Sequence, residues 1–127
     1  MKLKRTIYSL LDRIEDSIIL IQSQTKHIKS AENFILSPEG TFALSGVCMQ
    51  LIYIGESIKS IDSKTNNQYL IRYPEIPWND IMGLRNIIAH EYHRIDEEEI
   101  YLVITNELQP LLNMVQKMKS ELFGLDL

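Results

Sequence analysis

Apolar side chains recur at three- and four-residue steps along most of this chain, and the alternation expected of β-strands is scarce. From about Leu3 to Ser30, Ile7, Leu10, Leu11, Ile14, Ile18, Ile21 and Ile28 hold that spacing, which predicts an amphipathic first helix. Ser37-Pro38 predicts the next start, with Ser37 as N-cap and Pro38 at the first helical position. This second helix is expected to run through Phe42, Val47, Leu51, Ile54 and Ile58 to about Ile61. Leu44, Cys48, Ile52 and Tyr53 fall off its main stripe. It therefore lies at the centre of the fold or buries a second face at a subunit contact.

Asp62 to Gln68 is polar and predicts a loop. Tyr73-Pro74-Glu75-Ile76-Pro77-Trp78 predicts a stiff connector, because each proline fixes its own φ and biases the residue before it away from helix. A third helix is expected from Trp78, carrying Ile81, Leu84, Ile87 and Ile88 into the core. Asp96 with Glu99 three residues on is a capping-box pattern, and Ile95 with Ile100 fits a hydrophobic staple. Glu97, Glu98 and Glu99 then sit where the helix dipole favours negative charge, which explains the acidic run better than a metal site does. Tyr101 to about Phe123 completes the series, with a break expected near Pro110. The fold class is all-α, a four- to five-helix up-and-down antiparallel bundle, with residues 1–127 forming a single domain.

Hydrophobic residues make up 45% and charged residues 24% of the chain, a balance that excludes disorder. The longest apolar runs, such as Ile18 to Ile21, are too short to span a bilayer, and Asp12, Glu15 and Asp16 interrupt any signal peptide. Cys48 is the lone cysteine, expected in the core of a protein kept in a reduced, cytoplasmic setting. A net charge of −4 argues against a protein that coats nucleic acid, yet leaves room for one local cationic cleft.

The chemistry concentrates in Arg85-Asn86-Ile87-Ile88-Ala89-His90-Glu91-Tyr92. A guanidinium can grip two phosphate oxygens, and an imidazole changes charge near neutral pH. At about 100° per residue, Asn86 and His90 share a helix face, whereas Arg85 and His90 are about 140° apart. Arg85 and Tyr92 share a face if the helix persists that far. One chain does not converge Arg85 and His90 tightly, but two copies about a two-fold axis could.

Arg85-x4-His90-x-Tyr92 resembles the R-x4-H-x-Y signature of the HepT-like toxin ribonucleases, a branch of the HEPN domain superfamily. Tyr53-Ile54-Gly55-Glu56-Ser57 is similar to the family's "iGEa" segment, with Ser57 where alanine is common. Residues 73–78 resemble its "YPxIPW" connector, Met82-Gly83-Leu84-Arg85-Asn86 its "gmRN" approach, and Tyr92 to Asp96 its "Y..vD" exit. The likeness runs from about Phe34 to Leu112. It implies a HEPN-like bundle acting as a metal-independent endoribonuclease on RNA, without a cofactor. It also implies a homodimer, or a higher assembly with an MNT-type nucleotidyltransferase antitoxin, in a type VII-like toxin–antitoxin pair. By the same resemblance Arg85 and His90 are catalytic, Asn86 is the supporting polar residue, and Tyr92 receives AMP from the antitoxin. His93 and Arg94 are candidate RNA contacts.

Other readings stay open at this point. The bundle could instead be a non-catalytic module acting as partner subunit of a nucleotidyltransferase. Glu56 is equally an ion-pair partner for Arg85 or a surface acid beside a packing glycine. His90-x-x-His93 has the spacing of two metal ligands, but nothing in the sequence completes a site. Trp78 is expected to plug the bundle rather than to stack on a base, and His27 to be solvated on the polar side of the first helix.

Overall fold

The computed structural model describes residues 1–89 and 95–127 in full and His90 by its backbone. Among them all regular structure is helical. The first helix, α1, spans Lys2–Gln24 and buries Ile7, Leu11, Ile14, Ile18 and Ile21, steps of four and three that keep one face inward. It ends earlier than its periodicity predicts. Thr25 turns its hydroxyl back onto the Ile21 carbonyl at 2.7 Å, and Ile28 enters the core from the turn that follows. His27 is exposed as expected, but on that turn rather than on the helix.

A 3-10 turn at Ala31–Phe34 sinks Phe34 into the core and leads to α2, Pro38–Lys64. The Ser37 hydroxyl accepts from the Gly40 amide at 2.9 Å, the predicted cap. Gly40 must be glycine, because a Cβ there would collide with the carbonyl oxygen of Asn33. The helix runs past Ile61 to Lys64 because an exposed last turn tolerates polar residues. Asn66 and Asn67, at φ 53° and 61°, then stop it in the left-handed region, where asparagine is the side chain best tolerated. Phe42, expected inside, is 83% exposed. Five residues separate it from Val47, about 140° of rotation, so both cannot face inward.

The connector carries a 3-10 turn at Leu70–Arg72 and delivers the chain to α3, Trp78–His90. Trp78 is buried, with its indole Nε1 donating to the Tyr73 carbonyl at 2.9 Å, so it closes the bundle as predicted. Ile81 and Ile88 are buried and Leu84 packs at the core's edge, but Ile87 is 49% exposed, at the margin of the inward stripe. Asp96 caps α4, Glu97–Leu102, by accepting from the Glu98 amide at 2.9 Å. That closes the cap one residue earlier than a capping box would, while Ile95 packs on the core as a staple should. A π turn at Val103–Glu107 joins α4 to α5, Leu108–Glu121. The expected break therefore falls just before Pro110, whose ring and missing N–H a regular α-turn could not accommodate.

α1 packs between α2 and α5, and α2 between α1 and α3, while α4 lies against the Ala31–Phe34 turn. The architecture is the expected all-α bundle. Among the described residues α2 is long and apolar enough to cross a membrane, with a mean hydropathy of 1.3 over its best window. Here it is the central element of the bundle.

One charged cluster ties α1 to α5. Lys119 reaches Asp12 at 2.7 Å and Glu15 at 2.6 Å and lies 5.0 Å above the Tyr8 ring. Hydrogen bonding to Lys119 holds the Glu15 carboxyl below the usual carboxylate range, and the two acids push the Lys119 ammonium up. Because the folded Glu15 is the stronger acid, its stabilisation is complete above the unfolded carboxylate pKa. It fades as pH falls through the lower folded value. The thermal midpoint should therefore drop below about pH 4.5. Lys119→Met should cost about 1–2 kcal/mol at neutral pH and flatten that acid limb, as read by calorimetry across pH.

Candidate active site

Two helices meet unusually closely at Gly55. A Cβ placed there would lie 3.3 Å from the Arg85 Cβ and 3.4 Å from the Ile81 carbonyl oxygen. The missing side chain lets the backbone of α3 lie directly on α2. That approach brings Glu56, on the next position of α2, alongside Arg85 of α3.

The consequence is a held guanidinium. Arg85 donates from Nε to Glu56 Oε1, and from Nη1 to Asn86 Oδ1 at 2.9 Å. Of the two readings of Glu56, the structure realises the ion pair with Arg85 and not the unpaired surface acid, while Gly55 packs against α3. These two bonds use two of the five N–H donors of an arginine. Among the described residues Nη2 has no hydrogen-bond partner. The Arg85 side chain keeps 35% of its surface exposed.

α3 ends on His90, one turn beyond Asn86, so the Asn86–His90 i, i+4 register holds along the backbone. The side chain of His90, and Tyr92, His93 and Arg94 altogether, lie outside the described residues. So does the spacing of His90 and His93 as metal ligands. Among the described residues no group of three or more His, Cys, Asp or Glu side chains is placed to hold a metal ion. Cys48 is buried, and burial pushes its thiol up to about 11, which makes it an inert core residue.

Beside Glu56 a hollow of about 460 Å³ opens between α1 and α2, lined by Arg13, Asp16, Ser17, Tyr53, Glu56 and Ser57. Neither Arg13 nor this hollow follows from the periodicity of either helix alone. Glu56 belongs both to the Arg85 pair and to the lining of this hollow. Refilling the contact at Gly55 should disturb that pair. Gly55→Leu is expected to cost about 1–3 kcal/mol in thermal or denaturant unfolding, as overpacking forces α3 off α2.

The chain is similar in sequence to known proteins. The family model described as "Ribonuclease HepT-like" matches residues 14–118, a span that includes Glu56, Arg85, Asn86 and His90. The chain is 27% identical over 118 residues to "Probable ribonuclease HepT" of Thermococcus cleftensis, covering 93% of this chain and 100% of that one. It is 29% identical over 113 residues to a candidate RNase, MJ1380, of Methanocaldococcus jannaschii, covering 89% and 93% respectively. No solved structure matches the chain at a significant level. A match over most of its length, through the α2–α3 contact that holds Arg85, means that this chain belongs to the ribonuclease HepT-like family.

Proposed function

We propose that this protein is a metal-independent endoribonuclease, the toxin of a toxin–antitoxin pair, with Arg85 and His90 as its catalytic residues. The observation that carries this reading is the clamp on Arg85. A guanidinium oriented by Glu56 and Asn86, with Nη2 unpaired among the described residues and five positions before His90, suits charge that builds on a phosphorane. Arg85 and His90 lie about 140° apart on their helix, so a homodimer that lays two such helices across one cleft completes the site.

In that cleft one His90 takes the proton from a ribose 2′-OH, and the 2′-oxygen attacks phosphorus. The P–O5′ bond breaks, and the second His90 delivers a proton to the leaving 5′-oxygen. The products are a 2′,3′-cyclic phosphate and a 5′-hydroxyl, with no net redox change and no metal needed to make the nucleophile. Asn86 keeps the fork in register. His93 and Arg94 follow on the same chain as contacts for the RNA backbone.

Control is assigned to Tyr92. A nucleotidyltransferase antitoxin transfers AMP from ATP: the phenolic oxygen attacks the α-phosphorus, pyrophosphate leaves, and the phenolic proton is lost to solvent. The added phosphate brings negative charge and bulk seven positions after Arg85 in the chain and would compete with RNA phosphate for the guanidinium. The setting is the cytoplasm, where RNA and ATP are both at hand.

Purified protein incubated with cellular RNA in EDTA tests the first claim. Cleavage should persist, and His90→Ala should lower its rate by about 100- to 10,000-fold with far-UV circular dichroism unchanged. Loss of wild-type activity in EDTA, or full activity in His90→Ala, would refute the mechanism. Mass spectrometry tests the second. Incubation with the cognate nucleotidyltransferase and ATP should add one AMP to the wild type and none to Tyr92→Phe.

A further inference from the structure

The hollow beside Glu56 is built from matching faces of two helices. α1 contributes Arg13, Asp16 and Ser17, and α2 contributes Tyr53, Glu56 and Ser57, each set spaced i, i+3 and i+4. Its volume of about 460 Å³ falls within the range of small-molecule sites, roughly 300–1,000 Å³. Tyr53 keeps 52% of its surface exposed. Glu56 is already engaged by Arg85. Among the described residues no ion pair takes up Arg13 or Asp16. The hollow therefore offers one uncommitted guanidinium, one uncommitted carboxylate, an aromatic ring and two hydroxyls.

That set of groups narrows the occupant. A phosphate would be drawn to Arg13 but repelled by Asp16 and Glu56, and an amine would be held by the acids but repelled by Arg13. A flat, uncharged ligand with donors and acceptors side by side uses both charges and the ring. An unpaired nucleobase is such a ligand, stacked on an aromatic side chain and bonded along its edges. Among the four bases guanine matches best. Its N1–H and its N2 amino group are adjacent donors, and an ionised carboxylate accepts from two donors at once. Its O6 and N7 are adjacent acceptors, the pair that a guanidinium reads. On adenine, cytosine and uracil the Watson–Crick edge sets an acceptor beside each donor, so a carboxylate there gains one bond and meets a lone pair.

We propose that this hollow is a guanine subsite for single-stranded RNA. Tyr53 stacks on the base, Asp16 reads its N1–H and N2 amino group, and Arg13 reads its O6 and N7. The assignment rests on the ribonuclease reading above and adds a base preference to it. Because Glu56 lines the hollow and also holds Arg85, the seated base belongs to a nucleotide beside the phosphate that Arg85 grips. Asp16 and Tyr53 set specificity and take no part in bond breaking. With a net charge of −4 the chain can hold little RNA by backbone charge alone, so base contacts carry more of the binding.

Fluorescein-labelled 2′-O-methyl pentanucleotides UUGUU, UUAUU and UUUUU, which lack the 2′-OH nucleophile, test the subsite by anisotropy with the wild-type chain in EDTA. UUGUU should bind at least about fivefold more tightly than the other two. Asp16→Asn should invert that order and favour UUAUU, because a side-chain amide offers an acceptor and a donor to the adenine N6 amino group and N1. Tyr53→Ala should weaken UUGUU by about 5- to 150-fold through lost stacking. Both positions are exposed, and far-UV circular dichroism checks that each variant keeps its helices. Equal affinity for the three, binding of none, or a guanine preference that Asp16→Asn leaves unchanged would overturn the subsite. RNA cleavage by the same protein would then leave the nuclease reading standing. A guanine preference that switches with Asp16 in a protein that cleaves no RNA would uphold the subsite and overturn the nuclease. Failure of binding and of cleavage together would overturn both.

Discussion

The close approach of α2 and α3 at Gly55 is the contact on which the rest of the site depends. Arg85 and Glu56 are 29 residues apart in sequence. Their pairing is accompanied by a close approach of the two helices, at which a Cβ on residue 55 would crowd the Arg85 Cβ. The core on either side, with Ile54 and Ile58 on α2 and Ile81 and Ile88 on α3, holds the approach in place. A hydrophobic contact thus decides an electrostatic arrangement.

That arrangement suits a chain whose net charge is −4. A bare guanidinium on such a surface would be free to pair with whichever carboxylate came near. Fixing it to one chosen acid, and to the Asn86 amide, gives the cation a defined direction, with Nη2 unpaired among the described residues. On the function proposed above, an incoming phosphate would share the guanidinium with Glu56, an arrangement that favours a polyanion over weakly charged ligands.

Features set by neighbours in sequence were readable before the fold was known. The Ser37-Pro38 start, the Asp96 cap, the Trp78 entry and the disturbance at Pro110 all depend on a few consecutive residues. Features set by what covers a helix were not. Periodicity alone placed Phe42 and Ile87 inside, because it ranks a face as apolar without knowing whether another element lies over it. It also carried α1 through to Ser30, since Ile28 keeps the spacing although the chain has already turned at Thr25. At the site, Arg85 and Asn86 are adjacent and their association was legible. The role of Glu56 hung on a packing distance, and Arg13 reaches the hollow only through the way α1 lies on α2.

The π turn between α4 and α5 records a change of register in the chain. Buried positions there run Ile100, Val103, Leu108, Leu111, so one step of five interrupts steps of three. In an uninterrupted α-helix a step of five would rotate Leu108 about 140° away from Val103. The wider turn absorbs the surplus residue, as though one amino acid had been inserted into a regular helix and accommodated locally. It lets a single rod serve two neighbours, the Ala31–Phe34 turn through α4 and α1 through α5, without a loop between them. A chain lacking that extra residue would have to choose which of the two to cover.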